Sequence, residues 1–128
     1  VAGVSIHADP LFPRIITNLV DNALRHGGAQ LTSIRFYGLV TPDSYVLVCE
    51  DDGVGIIKKD KAAIFRRLVG KDTQIGLFLM QEILSLTMIT IRETGEPGRG
   101  ARFEMTVPPG GYRIVSEPDP AESFFEDR

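Results

Sequence analysis

The sequence predicts an α+β domain, a two-layer α/β sandwich in which a mixed, mostly antiparallel sheet carries about three helices on one face. Three observations predict it. Segments 11–25 and 75–86 place apolar residues at helical spacing. Five other runs are β-like and are bounded by turn chemistry. Strands and helices do not alternate as βαβα, which disfavours a doubly wound parallel sheet.

Each element has a local reason. "VSIHA", residues 4–8, alternates and reads as a strand. Asp9 and Pro10 predict the start of the first helix, a capping acceptor followed by proline at the first helical position. At 100° per residue, Leu11, Phe12, Ile15, Ile16, Leu19, Val20 and Ala23 share one broad arc. Gly27-Gly28 then ends the helix near Arg25. "LTSIRFYGLV" and "SYVLVCED" are β-rich and joined by the turn "TPD", so they read as neighbouring antiparallel strands. "DGVGI" breaks the second of them. Residues 57–74 are polar and irregular around a short "AAIFRRL" helix. "IGLFLMQEILSL" is the second long helix. "TMITIRET", the turn "GEPGRG" and "ARFEMTV" form a closing hairpin. These elements place one domain at residues 1–108. Residues 109–128 form a C-terminal extension rich in Pro, Gly and acid, whose end is expected to be disordered.

Composition narrows the function. A chain of 128 residues supports one core. The net charge of −3, without a basic block, argues against a nucleic acid partner. No apolar run approaches the ~18 residues that cross a bilayer, and the start lacks the pattern of a signal peptide. The single cysteine, Cys49, has no partner in the chain and points to a reducing, cytoplasmic compartment. The abrupt opening on a strand-like segment suggests a piece of a longer protein, whose parent could be membrane-anchored.

Four stretches can carry chemistry. In "NLVDNALRHGG", Asn18 and Asn22 lie one turn apart at the edge of the apolar arc. Asparagine competes for backbone hydrogen bonds and is a poor mid-helix residue, so the pair calls for a reason. Either the amides satisfy a nearby loop, or they face a ligand such as Mg²⁺, which takes few protein ligands and keeps waters and phosphates. Arg25 and His26 follow at the next turn. In "EDDGVGI" a strand ends in carboxylates and two spaced glycines, either a turn or a place where a ligand meets backbone. Gly76 opens "LFLMQEIL", either as a packing glycine or as a phosphate-binding helix start, with Lys71 and Thr73 upstream. "GEPGRGARFEMTVP" alone is a hairpin turn.

Taken in order, these four stretches resemble the GHKL (Bergerat-fold) ATP-binding domain. Within it, "ADPLFPRIITNLVDNALRHGG" is similar to the catalytic and ATP-binding domain of sensor histidine kinases. The stretch from "IFRRLVGKDTQIGLFLM" to "ARFEMTVP" resembles the short-lid version of archaeal, methanogen-type kinases. The resemblance spans roughly residues 4–108. It implies that Asn22 holds Mg²⁺, with Asn18 as a second polar contact, and that Arg25 meets phosphates while His26 lies beside adenine or ribose. It implies that Asp51 accepts a hydrogen bond from the adenine amino group. Gly53 and Gly55 would admit the base, and Ile56 would pack on it. Phe65 matches the lid phenylalanine. Lys71, Thr73, Gly76 and Leu77 match the second glycine box, which cradles phosphates. That box departs from the G-x-G-L-G-L pattern, with Asp72 and Gln74 where glycines stand. In such kinases the γ-phosphoryl of ATP passes to a histidine on a separate helical dimerisation domain, and a response regulator is reached indirectly. Neither His7 nor His26 looks like that acceptor. Asn18 stands where autonomous ATPases of the gyrase type carry a glutamate base, which disfavours that class. Two alternatives stay open: a degenerate, non-catalytic binding module, and a serine kinase of the anti-sigma type.

Overall fold

The centre of the fold is a four-stranded sheet in the order β2 (Ile34–Val40), β3 (Tyr45–Asp51), β5 (Arg102–Val107) and β4 (Thr90–Glu93). The structure is a computed structural model, described for residues 4–61, 63–66 and 76–114. A two-stranded ladder pairs β1 (Val4–Ile6) with β6 (Tyr112–Ile114). Among the described residues every strand pair is antiparallel. The helices are α1 (Phe12–His26) and α2 (Leu77–Ser85), with short 3-10 turns at Lys58–Asp60 and Ala63–Phe65.

Strand alternation gives the sheet two unlike faces. Leu47 and Cys49 of β3 sit opposite Met105 and Phe103 of β5, and Met105 sits opposite Ile91 of β4. All are buried in one cluster with Ile15 and Leu19 of α1 and Met80, Ile83 and Leu84 of α2. The helices therefore cover this face, as the amphipathic patterns predict. Burial pushes the Cys49 thiol up to about 12, with the neighbouring Asp51 charge adding to the effect. On the other face Glu50 joins Arg35 and Arg102, and Glu104 joins Arg92 and Arg102. Tyr37 lies beneath the guanidinium groups of Arg35 and Arg102.

Boundaries differ from the sequence reading for local reasons. Asp9 accepts a hydrogen bond from Leu11 N at 2.9 Å, so it shapes a turn before the helix rather than capping it. Leu11 is the N-cap, and Pro13, not Pro10, takes the first-turn position where a missing N–H costs nothing. β2 begins at Ile34 because Thr32 and Ser33 spend their N–H groups on the Asp52 carboxylate. The last turn of α2 closes through Ile89 N to Leu84 O at 3.0 Å, with Met88 left-handed at φ 61°, so β4 starts only at Thr90. β6 had no counterpart in the sequence reading. Tyr112 nonetheless packs on the core and lies 5.7 Å from the Tyr45 ring. The acidic end of the extension lies outside the described residues.

Candidate functional site

The end of β3 brings Asp51, Gly53 and Gly55 together with the end of α1 and the β4–β5 hairpin. Asp51 shares the helix-bearing face with Leu47 and Cys49 by alternation. Its Oδ1 accepts from Gly53 N at 2.8 Å and from Ala101 N at 3.1 Å, while Asp51 N donates to Ala101 O at 2.9 Å. Among the described residues Oδ2 accepts nothing. One carboxylate oxygen is thus locked by two backbone N–H groups, and its twin is presented for another donor.

The loop that follows is pressed onto the end of α1. A Cβ on Gly53 would lie 2.6 Å from both Cα and O of Gly27, so only glycine permits this contact. Val54 N donates to Gly27 O at 2.9 Å, which completes the joint. Gly55 takes φ 73° and packs on the backbone of Glu96 and Gly100. Gly100, at φ 139°, lies so close to Asp51 O that a Cβ would be 1.9 Å away. The glycines of both loops therefore do packing work in this structure: they let α1, the Asp51 loop and the β4–β5 hairpin meet backbone to backbone.

On α1, Asn18 and Asn22 are half-buried, at the margin of the core as their spacing predicts. The Asn18 amide nitrogen is fully buried and unpaired among the described residues. A buried amide without a partner is costly, and which end of the amide faces the gap is a matter of assignment. The position suits a polar ligand or ion. Arg25 is exposed and pairs with Asp21 at 3.0 Å, one turn back on its own helix. His26 is exposed beside it. Ile56, Phe65 and Leu77 are half-buried against the core, with Phe65 edge-on to Phe103 at 6.4 Å. Gly76 is the N-cap of α2 at φ −75° and ψ 170°, a conformation open to any residue, and a Cβ there would meet nothing within 4 Å. Among the described residues no side chain caps α2, so its first N–H groups lack a side-chain partner there. Lys71 and Thr73, with Asp72 and Gln74, lie outside the described residues.

Four residues that hold the site together escaped sequence reasoning. Asp52 turns away from Asp51 and accepts from Thr32 N at 2.7 Å, Ser33 N at 3.0 Å and the Thr32 hydroxyl. These bonds hold its carboxyl well below the usual range. Glu93, with its side chain wholly buried, accepts from Gly95 N and Arg102 N, each at 3.0 Å, and pairs with Lys61. Lys61 also donates to Gly95 O at 2.7 Å and so ties the 3-10 segment to the hairpin. Gln30 bridges three loops and is treated below. Apart from the bond between Gly95 and Glu93, each contact joins residues at least nine apart in sequence, beyond any local pattern. A groove of about 400 Å³ opens beside Arg35, Glu50, Arg99 and Arg102. Asp51 and Asp52 also line it, and the charges of Arg35, Glu50, Arg99 and Arg102 are paired within the domain.

The fold is that of the histidine-kinase ATP-binding domains. Residues 8–111 match the family described as histidine kinase-, DNA gyrase B-, and HSP90-like ATPase, and the chain belongs to it. It is 36% identical over 103 residues to the alginate biosynthesis sensor protein KinB of Pseudomonas aeruginosa, covering 74% of this chain and 17% of KinB. It is 27% identical over 123 residues to the sensor histidine kinase MtrB of Mycobacterium leprae, covering 88% of this chain and 22% of MtrB. The chain thus spans about a fifth of the length of these relatives. Among solved structures, the ATP-binding domain of PrrB from Mycobacterium tuberculosis superposes with a TM-score of 0.63 at 24% identity, covering 79% of this chain and 69% of PrrB. That likeness is one of fold. These relatives are bacterial, so the expected archaeal, methanogen-type affinity is not supported. It rested on a short lid, and segment length carries no lineage. Among the described residues, no helix is long and apolar enough to cross a membrane.

Proposed function

We propose that this domain binds Mg-ATP between α1 and the Asp51 loop and donates the γ-phosphoryl to a histidine of a separate helical dimerisation domain. The observation that carries the reading is the Asp51 carboxylate, with Oδ1 locked by two N–H groups and Oδ2 open. An acceptor fixed in that way suits the exocyclic amine of adenine. Ile56 packs on the base, and Gly53 and Gly55 keep the loop low enough for it to enter. Asn22 serves as the protein ligand of Mg²⁺, and the buried, unpaired Asn18 amide supplies the second polar contact. Among the described residues no three His, Cys, Asp or Glu cluster as a metal cage. An ion held by amide oxygen, water and phosphate fits the habits of Mg²⁺.

Arg25 releases Asp21 at small cost, since an exposed i,i+4 pair contributes only about 0.3–0.5 kcal/mol, and turns to the phosphates. His26 flanks the base or ribose, and Phe65 belongs to the lid. Lys71 and Thr73, with the uncapped start of α2 at Gly76 and Leu77, complete the phosphate cradle. Because the γ-phosphoryl needs little covalent help, the protein's contribution is positioning and charge neutralisation. The parent is a cytoplasm-facing sensor kinase that passes the phosphoryl on to a response regulator. This domain itself touches neither membrane nor nucleic acid.

The test mixes this domain with a helical dimerisation domain bearing an acceptor histidine, in the presence of γ-labelled ATP. Acid-labile, base-stable label on that domain supports the reading. Acid-stable phosphoserine moves the chain to the anti-sigma class. Asp72 and Gln74, in place of box glycines, favour one second reading, a non-catalytic binding module. Absence of nucleotide binding, restored by the double change Asp72→Gly and Gln74→Gly, favours that module.

A further inference from the structure

We infer that Gln30 is a positioning residue for Asp51, acting as the clamp between the two loops that hold the carboxylate. The inference rests on the adenine-recognition reading of Asp51. Gln30 lies just after the end of α1, and its side-chain nitrogen Nε2 donates to Gly53 O at 2.8 Å, Gly98 O at 3.0 Å and Asp52 O at 3.3 Å. Three converging carbonyls fix the amide orientation, because only the NH₂ end can face acceptors alone. The two shorter bonds fall on the two loops that matter. Gly53 gives its own N–H to Asp51 Oδ1, and the β4–β5 hairpin that contains Gly98 gives Ala101 N to the same oxygen. Apart from Asp51 itself, Gln30 is the side chain that hydrogen-bonds both loops among the described residues. The backbone adds two further ties, from Gly98 N to Val54 O at 2.7 Å and from Asp51 N to Ala101 O at 2.9 Å.

The consequence follows from geometry. The two loops are about fifty residues apart in sequence, and glycines line their contact, so few side-chain contacts hold them in register. Without Nε2, the three carbonyls face one another with no donor between them. The loops then relax apart, and the two N–H groups that fix Asp51 Oδ1 no longer share one point. Hydrogen bonds weaken steeply with misalignment, so the open Oδ2 loses its aim at an incoming amine. Gln30 itself is exposed, and its removal leaves the core intact.

The experiment compares two probes by calorimetric titration of the whole chain with Mg²⁺: an unhydrolysable ATP analogue, and the same analogue lacking the purine 6-amino group. The ratio of their affinities reads Asp51 directly, and a uniform structural weakening leaves that ratio unchanged. One hydrogen bond to a carboxylate predicts a wild-type preference of about tenfold or more. Gln30→Ala and the isosteric Gln30→Glu, which turns an acceptor toward three carbonyls, lower it to within about twofold. Gln30→Lys keeps a donor at the same place and restores most of it. A wild type with a clear preference that survives in Gln30→Ala and Gln30→Glu overturns this inference alone, even if both variants melt earlier. A wild type with no preference overturns the adenine reading of Asp51, and this inference with it.

Discussion

Replacing Gly53 with alanine separates two roles that the same residue can play. If Gly53 exists to admit a base, a methyl group there weakens nucleotide binding and leaves the empty protein untouched. The structure shows a different neighbour: the new Cβ would stand 2.6 Å from Cα and 2.6 Å from O of Gly27, both backbone atoms at the end of α1. Carbon contacts relax at about 3.5–4.0 Å, so the loop and the helix end must part by about 1 Å. Such overpacking costs about 1–3 kcal/mol. The same shift strains the bond from Val54 N to Gly27 O, worth about 1 kcal/mol. Loss of glycine's freedom in the unfolded chain returns about 0.4–1 kcal/mol. The net expectation is a loss of about 2 kcal/mol. Urea denaturation of the nucleotide-free protein, with Gly53→Ala against wild type, measures it. A difference below about 0.5 kcal/mol, with nucleotide affinity alone reduced, would refute the packing argument.

Other changes test separate joints. Met88 holds a left-handed φ of 61° while 76% exposed; Met88→Gly removes the strain and is expected to stabilise by about 1 kcal/mol in the same denaturation assay. Tyr45 is 1% exposed and its hydroxyl has no partner among the described residues; Tyr45→Phe is expected to be neutral or to raise stability by up to about 1–2 kcal/mol, and a loss of that size would reveal an unseen partner. The Asp52 carboxyl is depressed by its bonds from Thr32 and Ser33. Its contribution is therefore complete above the ordinary aspartate pKa of about 3.9 and is lost as pH falls through the lower folded value. Asp52→Asn should flatten the acid limb of a stability–pH curve, and an unchanged limb would contradict the assignment.

Much of the fold was legible because it rests on local pattern. The apolar arc of α1 puts Ile15, Leu19 and Ala23 in the core, and the alternation of β3 and β5 separates a buried face from a charged one. The order of the Asn pair, the Asp51 loop and the glycine hairpin pointed to the family to which the chain belongs. Contacts between distant segments were not legible. Nothing near Asp52 shows that its carboxylate will pin Thr32 rather than join Asp51. Nothing near Glu93 shows that a glutamate at the end of a strand will be buried on Lys61. The three residues Tyr112–Ile114 are too short to register as a strand against the Pro- and Gly-rich background, yet β1 selects them as its partner. The candidate site follows the same rule: Asp51 and the Asn pair stood out in sequence, while the bonds from Gln30 to Gly53 and Gly98 appeared only with the fold.

The central claim is that Asp51 recognises adenine, and calorimetric titration with an unhydrolysable ATP analogue and Mg²⁺ tests it most directly, with wild type beside Asp51→Asn. The account predicts one saturable, Mg²⁺-dependent site in the wild type and a loss of affinity of about tenfold or more in Asp51→Asn, whose amide can no longer accept on both oxygens. Equal affinity in the two proteins would contradict it.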